Sequence, residues 1–193
     1  MCYKKISILV NFILISTLLV ACSTTQHIPK EDMSVSFITA YHSKLLLPEN
    51  ATYQWSKGFT RHSSSGMIKN VDMWSLIKQS IEQEMQAKGY RPIAEAEQAD
   101  INISFVAVLA SDMSDAEIAT RYGLVPALMV HNVDKNNYEK GTLIFDVVNP
   151  KTNQLAWRTA GQALATLKDI PLEERKSRID VFVKKLLAFL PEK

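Results

Sequence analysis

Cysteine is almost missing from this chain. Its two copies, Cys2 and Cys22, both fall within the first 22 residues, so the remainder has no thiol for a disulfide framework, a zinc site or nucleophilic catalysis. Six glycines and seven prolines in 193 residues are no excess. With no low-complexity run and no repeat at a fixed period, collagen-like, disordered and solenoid architectures are excluded. An excess of one charge is lacking as well. Of the 22 Lys and Arg, two (Lys4 and Lys5) precede residue 22, which leaves 20 against 20 Asp and Glu beyond it. A basic footprint for nucleic acid is therefore absent, and the whole-chain pI near 8.5 misleads.

What is present begins with Met1 to Ala21. Lys4 and Lys5 are followed by an apolar run from Ile6 to Val20, broken by Ser7, Asn11, Ser16 and Thr17 and ending in Leu19-Val20-Ala21-Cys22. A basic start, a short apolar middle and small residues at its end are the pattern of a secretory signal over residues 1–21. The run falls short of the roughly 20 apolar residues of a spanning helix. Its last four residues resemble the lipobox of bacterial lipoproteins. That resemblance implies lipidation of the Cys22 sulfur, cleavage before it and acylation of the new amine, with several chains making attachment lasting. Ser23 resembles the outer-membrane sorting class. Residues 22–33 are then a polar tether from the lipidated cysteine, and 34–193 one domain of a size that buries a real core.

Within that domain, Val35, Phe37, Thr39 and Tyr41 alternate as a first strand, and Ala51 to Trp55 as a second. Tyr53 and Trp55 share one face, as core aromatics or as a ligand platform. Lys57 to Asn70 reads as a loop, with Ser63-Ser64-Ser65-Gly66 inside it. Asp72 to Lys88 carries Trp74, Ile77, Ile81 and Met85 on one helical face and ends at Gly89. Ala99 to Leu109 reads as an interior strand, and Ser114 to Glu117 as a capping box for a short helix closed by Gly123. Gly141 to Ala165 is a long hairpin whose turn, Asn149 to Asn153, contains a proline of preset φ and an asparagine suited to the left-handed conformation. The last helix starts at Asp169 and presents Ile179, Phe182, Val183, Leu186 and Leu190 on one side. Two apolar helix stripes and about five strands predict an α+β two-layer sandwich, a largely antiparallel sheet with two main helices on one face.

Chemistry is sparse. Histidines 27, 42, 62 and 131 lack a carboxylate at fixed spacing, so no metal or cofactor is expected. Asp100 and Asp146 are the carboxylates worth following. If Asn149 pairs with Gln154, Asp146 lies opposite Trp157 and Arg158 opposite Phe145, so acid and base point to different faces; a slip of one residue reunites them. Neither acid has a matched second group for acid–base catalysis, and the expectation is a protein that is no enzyme. The segment Leu124 to Val130 is apolar yet carries Pro126. It reads either as a bulged edge folded onto the core or as an exposed partner contact through Leu124, Val125, Leu128, Met129 and Val130.

Thr52-Tyr53-Gln54-Trp55, Lys88-Gly89-Tyr90, Ala99-Asp100, Gly141-Thr142-Leu143 with Asp146, Leu155-Ala156-Trp157-Arg158 and Phe189-Leu190-Pro191 follow one another in this order. In that order the chain resembles the bacterial lipoprotein family called domain of unknown function 4136. The resemblance covers nearly all of the sequence after the signal. This chain departs from it by extra residues before Ala51 and by a longer, more apolar Ser111 to Asn137. The family implies no activity. The layout is also similar to small periplasmic sheet-and-helix domains of outer-membrane assembly and export machines. Together these readings give the expectation of an outer-membrane lipoprotein on the periplasmic side, held through its lipid and meeting an envelope protein as a binding or assembly module. The alternative is a carrier of a lipid or other apolar ligand between sheet and helices.

Overall fold

Apolar residues at every second position of Leu143, Phe145 and Val147 and of Ile101, Ile103 and Phe105 need a covered sheet face, and the fold supplies one. The computed structural model of the protein describes residues 35–41, 50–62, 73–94, 98–109, 113–124 and 133–190; the segments expected to be a signal (1–21) and a tether (22–33) lie outside them. Six strands, β1 (Ser36–Tyr41), β2 (Thr52–His62), β3 (Arg91–Pro92), β4 (Ile101–Leu109), β5 (Tyr138–Asn149) and β6 (Gln154–Thr166), form one sheet in the order β1-β6-β5-β4-β2-β3. The β5–β6 hairpin is the long one expected, extended by three residues at the start and one at the end. Its turn is held by the Asn149 side chain, whose Oδ1 accepts from Lys151 N at 2.9 Å, while Asn153 takes the left-handed conformation at φ 52°.

The sheet departs from expectation in two ways. It has six strands, because Arg91–Pro92 adds a short edge, and β2 runs parallel to both β3 and β4. A parallel pair needs a crossover, and the helix α1 (Met73–Ala87) between β2 and β3 provides it. The second strand is also longer than its alternation indicated: β2 continues to His62, with an irregularity between Trp55 and Thr60 where its register against β4 shifts. That irregularity breaks the period-two pattern, which is why Lys57 onward reads as loop in sequence.

On one face of the sheet lie α1 and α3 (Leu172–Leu186). Ile77, Ile81 and Met85 of α1 and Phe182, Val183 and Leu186 of α3 meet Ile103, Phe105, Phe145, Val147 and Trp157 in the main core. Burying a large aliphatic or aromatic side chain contributes about 1.5–3 kcal/mol, so this layer carries most of the fold's stability. Trp74 stacks on Phe105 with centroids 5.2 Å apart. Gly89, at φ 86°, ends α1. The chain after α3 still contributes, since Leu187 and Leu190 are buried in the same core.

The other face is covered too, which corrects the two-layer reading. The helix α2 (Asp115–Tyr122) opens with the expected capping box between Ser114 and Glu117 and closes at Gly123, φ 63°. It packs Ile118, with Leu124 behind it, on Val106, Val108, Ile144 and Ala160 in a second, smaller core. Eight residues have one strongly apolar position here, too little periodic signal to identify the helix as a layer.

One contact was invisible in sequence. A Cβ added at Gly161 would sit 2.7 Å from the Phe37 ring and 2.8 Å from Phe182 Cζ; the bare backbone there lets the two rings meet at 5.3 Å. A glycine inside a strand marks such a close approach. Gly161→Ala should destabilise the domain by about 1–3 kcal/mol through overpacking, seen as a lower urea midpoint at unchanged slope. An unchanged midpoint would show that β1 and α3 do not close over this position.

Candidate functional site

The face that α2 only partly covers carries the polar side chains of the central strands. Residues 142, 144 and 146 of β5 and 158, 160 and 162 of β6 point to this side, because the ladder pairs Thr142 with Gln162, Ile144 with Ala160 and Asp146 with Arg158. The last pairing overturns the register expected from the turn. Asn149 does pair with Gln154 and Val148 with Leu155, but a bulge follows and Val147 pairs with Trp157. One extra residue in β6 supplies the slip that brings acid and base to the same face.

The result is a two-pronged ion pair. Arg158 Nε donates to Asp146 Oδ1 and Nη2 to Oδ2, both at 2.6 Å. The remaining Nη1 donates to the Tyr122 carbonyl, and the guanidinium lies 5.9 Å from the Tyr122 ring centroid. Side-chain exposure is only 8% for Asp146 and 17% for Arg158. A charge pair so placed is favourable only when its hydrogen bonds are complete. Here they include the C-terminal end of α2, where a cation also meets the negative end of the helix dipole.

The opposite end of α2 is held in the same manner. Gln162 Nε2 donates to Asp115 Oδ1 at 2.7 Å and to Thr142 Oγ1 at 3.0 Å, and Lys140 Nζ forms an ion pair with the other Asp115 oxygen. Beyond Asp146 the polar row continues through buried Ser104, its partner on β4, to Asn102 Oδ1, which accepts from Gln54 Nε2 at 2.9 Å. Chemically this is a clamp. Both oxygens of Asp146 are engaged, and the row ties a helix to a sheet.

Asp100 Oδ2 accepts from both the backbone N and the Oγ1 of Thr52 at 2.7 Å, which holds its carboxyl below the ordinary value of 3.8. It thereby fastens the start of β4 to the start of β2. Tyr53 is core rather than a platform, and Trp55 lies against that core with Nε1 donating to Glu82 at 2.8 Å. Burial pushes the Tyr53 hydroxyl, helped by Glu82, and the Tyr90 hydroxyl up to about 12. His62 ends β2. Leu124 faces inward and is buried, so it offers no surface to a partner; Val125, Leu128, Met129 and Val130 lie outside the described residues, as do Cys22, His27, His42, the Ser63 to Gly66 cluster and His131. Among the described residues, no three of His, Cys, Asp and Glu gather as a metal ion would need. Sequence reasoning missed the parts played by Gln162, Thr142, Asp115 and Lys140. Their one signal is polar residues recurring with period two on strands whose other face is apolar.

Two outcomes test the clamp. Arg158→Met leaves Asp146 buried without its partner and should cost about 3 kcal/mol, whereas adding Asp146→Leu should restore most of the loss; a double mutant no better than the single one would contradict the pairing. Asp100 gives a pH signature. Its folded pKa is depressed, so its contribution is complete above its unfolded pKa and is lost as pH falls through the lower folded value. The stability difference between wild type and Asp100→Asn should therefore shrink steadily as denaturation is followed from neutral pH to below the ordinary value of 3.8.

The sequence profile of the family described as domain of unknown function (DUF4136) matches residues 38–192. No curated protein matches. Among solved structures, a PelC dodecamer from Paraburkholderia phytofirmans is similar at 9% identity with a TM-score of 0.50, over 82% of this chain and 99% of that one. A DUF4136 family protein from Bacteroides thetaiotaomicron is 17% identical with a TM-score of 0.49, over 82% and 98%. A PDZ domain protein from Parabacteroides distasonis is 13% identical with a TM-score of 0.47, over 83% of this chain and 36% of that one. At 9% identity the likeness to the PelC dodecamer is one of fold alone.

Proposed function

The chain belongs to the DUF4136 family, and from that premise we propose that it is a lipoprotein anchored in the outer membrane through Cys22, whose domain on the periplasmic side serves as a non-catalytic binding or envelope-assembly module. The observation that carries this reading is the engagement of the polar row. Asp146, the most deeply placed carboxylate on the sheet face, has both oxygens taken by Arg158, and a base must be free to accept a proton. Asp100 is likewise committed to Thr52. The site is built to hold α2 in place, as a scaffold requires.

The interior supports the same reading over that of an apolar carrier. Ile81, Met85, Ile103, Phe145, Val147, Trp157, Val183 and Leu187 are all within 0–1% of full burial. Side chains lining a space fit for a lipid tail would retain area accessible to a water-sized sphere. For assembly, the solved PelC with this fold is a dodecamer, which supports a domain able to join copies of itself or envelope partners by its surfaces.

Membrane attachment in this proposal rests on the lipid, and it is tested there. Cys22→Ala should leave the signal uncut by the lipoprotein-specific peptidase and abolish labelling by radioactive palmitate, with loss of the protein from outer-membrane fractions. Wild-type protein of mature mass that carries no lipid on Cys22 would overturn the anchor.

A further inference from the structure

The exposed large apolar side chains among the described residues are Leu167, Leu172, Val181 and Phe189, all of them on α3 or its flanks. Val181 is 44% and Phe189 67% exposed, and between them stand the exposed Lys184 and Lys185. Earlier in α3, Lys176 pairs with Asp180 at 2.7 Å and Arg178 with Glu174 at 2.9 Å. Lys184 and Lys185 have no acidic partner among the described residues. Apolar side chains flanked by free lysines form the pattern that lies on an anionic membrane surface, the ring or aliphatic group entering the interface and the ammonium groups meeting phosphate.

Charge gives this face its occupant: between Val181 and Phe189 stand two exposed lysines and no acid, which complements an anionic surface. Thirteen residue steps separate Val35 from Cys22, at most about 45 Å, so a lipid on Cys22 would keep the domain within reach of the bilayer. Resting on the lipid-anchor reading, we propose that the C-terminal half of α3 and the turn after it, with Val181, Lys184, Lys185 and Phe189, form a membrane-docking face for anionic phospholipid, which orients the domain and leaves α2 and its polar clamp turned to the periplasm.

The test uses the full lipidated protein reconstituted in phosphatidylcholine vesicles with and without phosphatidylglycerol. Cys22 is blocked by its lipid, so Ala188→Cys supplies one reactive thiol for a fluorophore on the proposed face, and Ala116→Cys on α2 supplies a control. Quenching by nitroxide lipid should be strong at position 188 and weak at 116 when phosphatidylglycerol is present. Lys184→Glu with Lys185→Glu, or Phe189→Ser, should abolish the difference while urea midpoints stay unchanged. Equal quenching at the two positions, no quenching at 188, or indifference to phosphatidylglycerol would overturn the docking face. So would protection at 188 that grows with protein density in vesicles of either kind, which would identify a second copy as the occupant. The mass of Cys22 is read on the same preparation. An unlipidated protein counts against the anchor alone, and its co-sedimentation with the two kinds of vesicle then decides on the face: expected to be roughly 30-fold stronger with phosphatidylglycerol for two lysines, and refuted if equal.

Discussion

One extra residue in β6 governs which way the central hairpin faces. Before the bulge, Val148 pairs with Leu155; after it, Val147 pairs with Trp157 and Asp146 with Arg158. Without the insertion an arginine would oppose Phe145, a fully buried core side chain, and a carboxylate would oppose an indole. Either arrangement buries charge without a partner, at a cost of several kcal/mol per ion. The bulge removes both conflicts at once, giving Trp157 to the core and Arg158 to Asp146.

From that pair the second layer follows. Arg158 reaches past Asp146 to the Tyr122 carbonyl, while Gln162, two residues along the same strand, reaches Asp115 at the other end of the helix. The apolar contact under α2 is small, so directional polar bonds at both ends determine where this short helix lies. The main core works differently. There, α1 and α3 are placed by volume, with Gly161 leaving room for the Phe37 and Phe182 rings, and nondirectional burial is sufficient. The two faces of one sheet thus use two kinds of interaction: a closed hydrophobic layer on one side and a hydrogen-bonded layer on the other.

Some of this was determined by the sequence itself. The capping box at Ser114 and Glu117, the glycine stops at Gly89 and Gly123, the left-handed Asn153 and the apolar stripes of α1 and α3 depend on groups a few residues apart, and their outcome hardly varies with what surrounds them. The family was legible for a related reason, since its small motifs sit at those same turns and strand starts. Tertiary structure alone decided the bulge after Leu155, the parallel course of β2, its continuation to His62, the third layer under α2 and the use of Gly161. Each joins residues far apart in the chain, and each was settled by competition for burial or for a hydrogen-bond partner that only the packed sheet supplies. The Asp146–Arg158 pair shows the boundary. Both residues stood in plain view, one residue out of register, and the force that brought them together was the cost of leaving either one buried alone.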